Sequence, residues 1–447
     1  MGTEPPRTPR VVIVGGGMGG ISAARKLARA PAAVTVVDAR NYYLFQPLIY
    51  QVAGGMSNVE DITHSIRDLL RRQRNARFRL ATAVSADLDG HELLLDDGER
   101  LPFDYLILST GLRADVKRVP GAAAYAFPLK TLEDALGLRS HLLRRLETAA
   151  ARPELAPEGA LDLVIVGGGT TGVEVAATFT EAYARALRDE FAELDFSQAK
   201  ITVVEAGDAL LSAFHPKLQQ AALRMLRKRG AEIHFRSEVA EVGPASVTLA
   251  DGSELAACTV VWATGVRATP LADALGLAQE SGGRILVNPN LSLPGHSDAF
   301  AIGDMAALPT AAGDLHPPLA QFAIQGGRHA AREILRHTAG APARPFRYWD
   351  KGMTSVVGRN AAVVESGRLR FSGRLAYFFW AFLHGFYVPG LRNRLSVTLT
   401  WIWSYATRRR AALLIIGEAP MPDEPLEAPA VAGVGLGELT AKGGACE

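Results

Sequence analysis

Two glycine-rich turns, each following a buried strand and opening a helix, constrain this chain more than any other feature. The first lies in RVVIVGGGMGGISAARKLA, where a β-branched run over residues 11–14 breaks into Gly15, Gly17 and Gly20. In that spacing the first glycine makes the turn and the second lets a pyrophosphate approach backbone N–H groups. The third permits tight helix–strand packing. Met18, Ile21, Ala24 and Leu27 then share one helical face, and the N-terminus of that helix favours an anion. AAVTVVDAR follows as a second strand ending in Asp38, placed to bond ribose hydroxyls.

The pattern recurs. LDLVIVGGGTTGVEVAATF carries Gly167, Gly169 and Gly172, and AKITVVEAG ends a strand at Glu205. Glu205 lies further from its glycines than Asp38 does from the first set. The charged stretch FTEAYARALRDEFAELDF in between predicts an elongated crossover helix. Two dinucleotide units in one chain imply two different dinucleotides, one of them a flavin. Glu205 favours NADH over NADPH, because a carboxylate there accepts the ribose 2′-hydroxyl and repels a 2′-phosphate. Ala206 and Gly207 supply no compensating cation.

Two more hydrophobic strands end in small residues suited to a close cofactor approach, one at Thr110-Gly111 and the other at Thr264-Gly265. Each is preceded by a polar hairpin turn, Asp96-Asp97-Gly98 and Asp251-Gly252. DAFAIGDMA then places Asp304 at a strand end, where it can bond a flavin ribityl chain or cap the next helix.

Charge and cysteine content narrow the function classes. Lys and Arg total 48 against 46 Asp and Glu, so no global field points to nucleic acid. The only two cysteines, Cys258 and Cys446, exclude a disulfide framework, a zinc cluster and an iron–sulfur centre; no metal is expected. The polar start MGTEPPRTPR has no secretory apolar segment, so cytoplasmic residence is the expectation.

The C-terminal stretch departs from this balance. Residues 367–410 hold eight arginines and no acid. Leu375, Phe378, Phe379, Phe382, Leu383, Phe386 and Tyr387 follow the rhythm of one wide helical face before Pro389-Gly390 breaks it. LSVTLTWIWSYATRRR starts a second, Trp-rich element. Neither reaches the ~20 unbroken apolar residues of a spanning helix. Apolar and aromatic faces with basic flanks suit a helix lying on an anionic membrane surface; a homodimer interface is the alternative use of the same face.

With these pieces assembled, the chain resembles the two-dinucleotide flavoproteins related to glutathione reductase. Within them it is most similar to the type II NADH:quinone oxidoreductases. The more specific marks are NYYLFQPLIYQVAGG, GGGTTGVEVA, AIGDMA, AQFAIQGG and GFYVPGLRNRLSVTLTWIWSYATRR. The resemblance covers roughly residues 9–415. It implies non-covalent FAD on the first cradle, NADH on the second and a membrane quinone as acceptor. The disulfide reductases of the group need paired cysteines beside the flavin, which this chain lacks.

By resemblance, the helix opened by Ala320 begins beneath the flavin pyrimidine ring, and its positive end stabilises the reduced flavin. Gln321 and Gln325, at i and i+4, share a face and are expected to donate amide N–H groups to quinone carbonyls. The family's matching acid is Glu174, beside the nicotinamide–flavin contact, where it assists proton delivery or nicotinamide positioning. Pro47, in FQPLIY, matches a flavin contact.

The expected fold is α/β, with two Rossmann-like dinucleotide-binding domains plus a C-terminal amphipathic helical membrane-anchoring segment. The FAD domain takes residues 9–125 and 290–340, and the NAD(H) domain 160–285. Residues 341–415 form the region of membrane-surface helices, and 416–447 form a disordered tail. The expected location is the cytoplasmic face of the cell membrane, as a peripheral protein. Two alternatives share the cradles: a soluble NAD(P)H-dependent reductase of a ferredoxin- or rubredoxin-type acceptor, and a slow-turnover flavin redox sensor resembling apoptosis-inducing factor.

Overall fold

Each buried cradle strand becomes an interior strand of its own parallel sheet. The computed structural model describes residues 8–152, 159–407 and 412–416. The first sheet has six strands in the order Ser292–Leu293, His296–Ala301, Tyr105–Leu108, Arg10–Val14, Ala33–Asp38, Ala76–Leu80. Every neighbouring pair is parallel except the outermost hairpin. Val11, Ile13, Val36 and Ile107 are fully buried, as unbroken apolar strands covered by helices on both faces must be.

The second sheet repeats the plan with five parallel strands, ordered Ala126–Pro128, Thr259–Trp262, Leu163–Val166, Ile201–Glu205, Ala231–Phe235. It therefore reaches back to Ala126–Pro128, outside the 160–285 span expected from sequence. The antiparallel hairpins around Gly98 and Gly252 form as anticipated, each glycine at positive φ.

The crossover helix of the second unit is shorter than expected. Helix Thr170–Glu181 continues through a π-turn, Ala182–Ala186, and the turn Leu187–Glu190, then stops. Phe191 and Phe196 are both buried, and Phe196 folds back edge-on to Tyr183 with ring centroids 5.2 Å apart. Burying these rings ends the helix before the charged stretch does.

Helix Ala320–Thr338 crosses the first-cradle helix, Met18–Lys26, at very close range. A Cβ on Gly327 would sit 2.2 Å from the Gly19 carbonyl oxygen, so only glycine fits. This contact fixes the Ala320 end of the helix at the mouth of the first cradle.

Residues 341–415 hold more than helices. An antiparallel sheet, Met353–Val356, Ala362–Ser366 and Leu369–Gly373, precedes helices Arg374–Tyr387 and Leu391–Thr407. The helices dock by Trp380, Val388 and Val397, all buried. Asn393 donates to the carbonyls of Glu60 (2.8 Å) and Thr63 (2.6 Å), and Trp401 Nε1 donates to Gln51 Oε1 at 2.8 Å. Their other faces point outward: Leu375, Phe378, Phe382, Leu395, Leu399 and Trp403 are exposed, Phe382 by 73%. Among the described residues no helix is long and apolar enough to cross a membrane. Arg408, Arg409 and Arg410 lie outside the described residues, as does the expected tail 416–447 apart from Ile416, whose N–H donates to Ser140 Oγ at 3.1 Å.

Candidate functional site

The two cradles have nearly the same geometry. Gly15 and Gly167 sit at φ +105° and +107°, reached only by glycine. A Cβ on Gly20 or Gly172 would lie 1.8 Å from the Gly15 or Gly167 carbonyl oxygen, whereas Gly17 and Gly169 face open space. The strand-end acids match too. Gly16 N donates to Asp38 Oδ2 and Gly168 N to Glu205 Oε2, both at 2.6 Å. The second oxygens accept from Arg40 N (2.8 Å) and Gly207 N (2.7 Å). Thr264 closes against Gly167, and Gly265 takes a left-handed turn at φ +64°.

A cavity of about 990 Å³ runs from the first cradle to the start of the second cradle's helix; Gly167, Gly169, Gly172, Glu205, Thr264 and Gly265 do not line it. Its floor is the first cradle, with Gly15, Gly17 and Asp38, and its sides include Pro47, Thr110, Gly111 and Asp304. Thr110 is pinned by its hydroxyl to that of Thr269, 2.7 Å away. The second unit contributes Thr170, Thr171 and Glu174, from the start of its cradle helix. Ala320 and Gln321 close one end beside Lys351, and Phe379, Leu383, His384 and Tyr387 extend the wall to the C-terminal helix.

Three groups give the cavity its electrostatics. Asp304 and Lys130 are both deeply enclosed: burial pushes the carboxyl above and the ammonium below their ordinary ranges, and each charge partly restores the other. Among the described residues neither side chain has a hydrogen-bond partner, so both are free for a polar ligand. Sequence reading missed Lys130, which gains its meaning only from Asp304, a residue remote from it along the chain. Glu174 keeps partial access to the cavity but is otherwise surrounded by protein. Burial pushes it up to about 8, against the N–H of Val356, which donates to its Oε1 at 3.3 Å.

His384 Nδ1 donates to the Trp380 carbonyl at 2.9 Å, so Nε2 is the acceptor nitrogen; burial pushes this imidazole down to about 4.

The two glutamines are placed differently from expectation. Gln321 Nε2 donates to the Gly352 carbonyl (2.9 Å) and its Oε1 accepts from Lys351 N (3.1 Å). Gln325 does the same with Trp349, donating at 2.9 Å and accepting at 3.0 Å. Both amides pair with an extended backbone, as a peptide group would. Gln321 still lines the cavity, but Gln325 faces a separate groove. The shared i, i+4 face is real; it is filled by residues 349–352, which the helical spacing alone does not reveal.

The residues present fit a long dinucleotide. The cradle rejects any Cβ at Gly15 and Gly20 yet is open at Gly17, and Asp304 and Lys130 line the same cavity. Fold and site together define a two-dinucleotide flavoprotein oxidoreductase. Residues 9–327 match the family model described as "Pyridine nucleotide-disulphide oxidoreductase". Two curated Mycobacterium tuberculosis proteins, the type II NADH:quinone oxidoreductases NdhA and Ndh, are each 35% identical. The matches cover 92% of this chain and 90% and 91% of those proteins. Among solved structures, NDH2 from Plasmodium falciparum in complex with NADH superposes with a TM-score of 0.81 at 19% identity. That match covers 91% of this chain and all of the other. The chain belongs to the pyridine nucleotide-disulphide oxidoreductase family and, within it, to the type II NADH:quinone oxidoreductases, FAD-dependent enzymes that pass electrons from NADH to a quinone without pumping protons.

Proposed function

We propose that the chain works as a peripheral enzyme of the cytoplasmic membrane face, with quinone entering beside the outward apolar face of helix Arg374–Tyr387. The observation that carries this reading is the continuity of one cavity from the first cradle, past Glu174, to Phe379, Leu383 and Tyr387. Gly15, Gly17, Gly20, Asp38, Pro47, Thr110, Gly111, Asp304 and Ala320, with Lys130, hold FAD. Gly167, Gly169, Gly172, Glu205, Thr264 and Gly265 hold NADH. When bound, FAD would supply the two-electron redox chemistry that links NADH to the quinone.

The chain's own residues position and protonate. The balanced reaction converts NADH, one proton and a quinone to NAD⁺ and a quinol. Glu174, mostly protonated near neutral pH, holds a proton at its carboxyl beside the junction of the two units. Gln321 fixes Lys351 and Gly352 at the cavity wall by its paired hydrogen bonds, and so shapes the quinone end without donating to the quinone. Gln325 supports the same segment from behind. Small side chains at Ala320 and Gly352 leave room for a flat ring.

The outward face of Leu375, Phe378, Phe382, Leu395 and Leu399 meets the membrane, and Arg368, Arg374, Arg392 and Arg394 meet anionic headgroups. The test is flotation of purified protein with neutral and anionic vesicles. Binding to anionic vesicles that detergent, and only partly salt, reverses is expected. A soluble dimer that ignores vesicles would overturn the membrane reading and assign the face to a second copy.

A further inference from the structure

Behind the cavity, on the outer side of helix Ala320–Thr338, lies a second concavity of about 650 Å³ with an unusual lining. Arg328 and Arg332, one turn apart on the helix, form one wall. Arg344 and Arg347, on the extended arm that runs back along the helix, form the other. Among the described residues none of these four guanidinium groups has an acidic partner. The one nearby acid, Glu333, is committed to Arg336 (3.7 Å) and to the backbone N–H of Arg344 (2.8 Å). At the base sits His329, only 8% exposed and held against the backbone of Arg344 and Asn290.

The walls are rigid. Phe346 packs against Phe322 and His329, with centroids 5.5 and 5.2 Å away, and its N–H donates to the Pro289 carbonyl at 2.7 Å. An ordinary solvated charge run is mixed in sign; here four exposed arginines line one hollow. Planar guanidinium groups match phosphate oxygens two at a time.

We propose that this groove is a phosphate-binding site. The argument for the source comes from the arm itself. Past Arg347 it leads to Trp349, 70% exposed. Lys351 Nζ sits 5.2 Å from the Trp349 ring and 6.0 Å from that of Tyr387, on the outward apolar helix. A phosphate in the groove is thus at the edge of the face assigned to the membrane, and the ligand is the phosphate of an anionic phospholipid. This choice of source rests on the membrane reading above; the phosphate site itself does not.

The holoenzyme, its second cradle saturated with NAD⁺, would be titrated in neutral detergent with pyrophosphate at constant ionic strength, with chloride as reference, and separately floated with phosphatidylcholine vesicles with and without phosphatidylglycerol. R328Q/R332Q/R344Q/R347Q is compared with R72Q/R74Q/R185Q/R188Q, four exposed arginines elsewhere. Loss of four charge-assisted contacts predicts at least about tenfold weaker pyrophosphate binding in the groove variant alone, with bleaching of the flavin by NADH unchanged. A parallel loss of phosphatidylglycerol-vesicle binding supports the lipid source. Loss for pyrophosphate alone keeps the site and assigns it to a soluble phosphate compound. Wild type that binds pyrophosphate but no vesicle refutes the membrane reading and leaves the groove standing. Pyrophosphate binding no stronger than chloride, or equal loss in both variants, overturns the proposal.

Discussion

Glu174→Gln separates the charge of this buried carboxyl from its shape. Burial raises it from the ordinary 4.5 to about 8. Between those values the folded protein keeps a proton that the unfolded chain has released. The folded form therefore binds more protons, and its stability must fall as pH rises through that window, by up to about 1.4 kcal/mol per pH unit. Above about pH 9 both states are ionised and the dependence ends. Glutamine keeps the acceptor for the Val356 N–H but never ionises, so the variant loses this term.

The stability difference, variant minus wild type, should grow by about 2 kcal/mol between roughly pH 6 and pH 8, then level off. Partial access of the carboxyl to the cavity makes that figure an upper one. Urea unfolding of both holoenzymes over a pH series measures it, because every other group titrates alike in the two. A difference independent of pH, or one that shrinks toward alkaline pH, would refute the reasoning. In kinetics, wild-type quinone reduction should decline as pH rises through about 8. The variant should be slower and show no such decline, while NADH still bleaches its flavin.

Glu205→Gln should raise NADPH use relative to NADH, measured as the ratio of kcat/KM values; a wild type that already uses both equally would void the assignment. Gln321→Leu removes the paired bonds to Lys351 and Gly352, a local loss of about 1–2 kcal/mol. Stopped-flow traces should show slowed reoxidation by quinone with intact bleaching; equal slowing of both would indicate damaged flavin binding. F382E/L399E places charge on two exposed apolar positions, each worth about 1.5–3 kcal/mol when buried. Vesicle affinity should therefore fall more than about tenfold at unchanged FAD content. Point changes are preferable to cutting after Ser366, which would also remove the edge strand Leu369–Gly373 and buried Trp380.

What the sequence revealed follows from range. The cradles were legible because strand, glycines, helix and acid are close in sequence, and each glycine answers a local steric demand. The outward helical face was legible for the same reason, since Leu375, Phe378 and Phe382 recur at helical spacing. Lys130 was not, because nothing around it marks a function until Asp304 folds beside it. The contacts of Gln321 and Gln325 were not legible, because spacing gives a face but not its neighbour, and here residues 349–352 bond the amides. The sheet over residues 353–373 was masked by the stronger basic and aromatic signal that follows it. The arginine groove takes its two walls from a helix and from the arm beyond it, too widely separated for a motif and too mixed for a charge run.

The most direct test of the central claim is anaerobic stopped-flow absorbance of the purified flavoprotein, mixed first with stoichiometric NADH and then with a quinone in anionic vesicles. The account predicts that NADH bleaches the flavin band and that the quinone restores it, with restoration faster from anionic than from neutral vesicles. Failure of NADH to bleach the flavin, or of any quinone to restore it, would contradict the account.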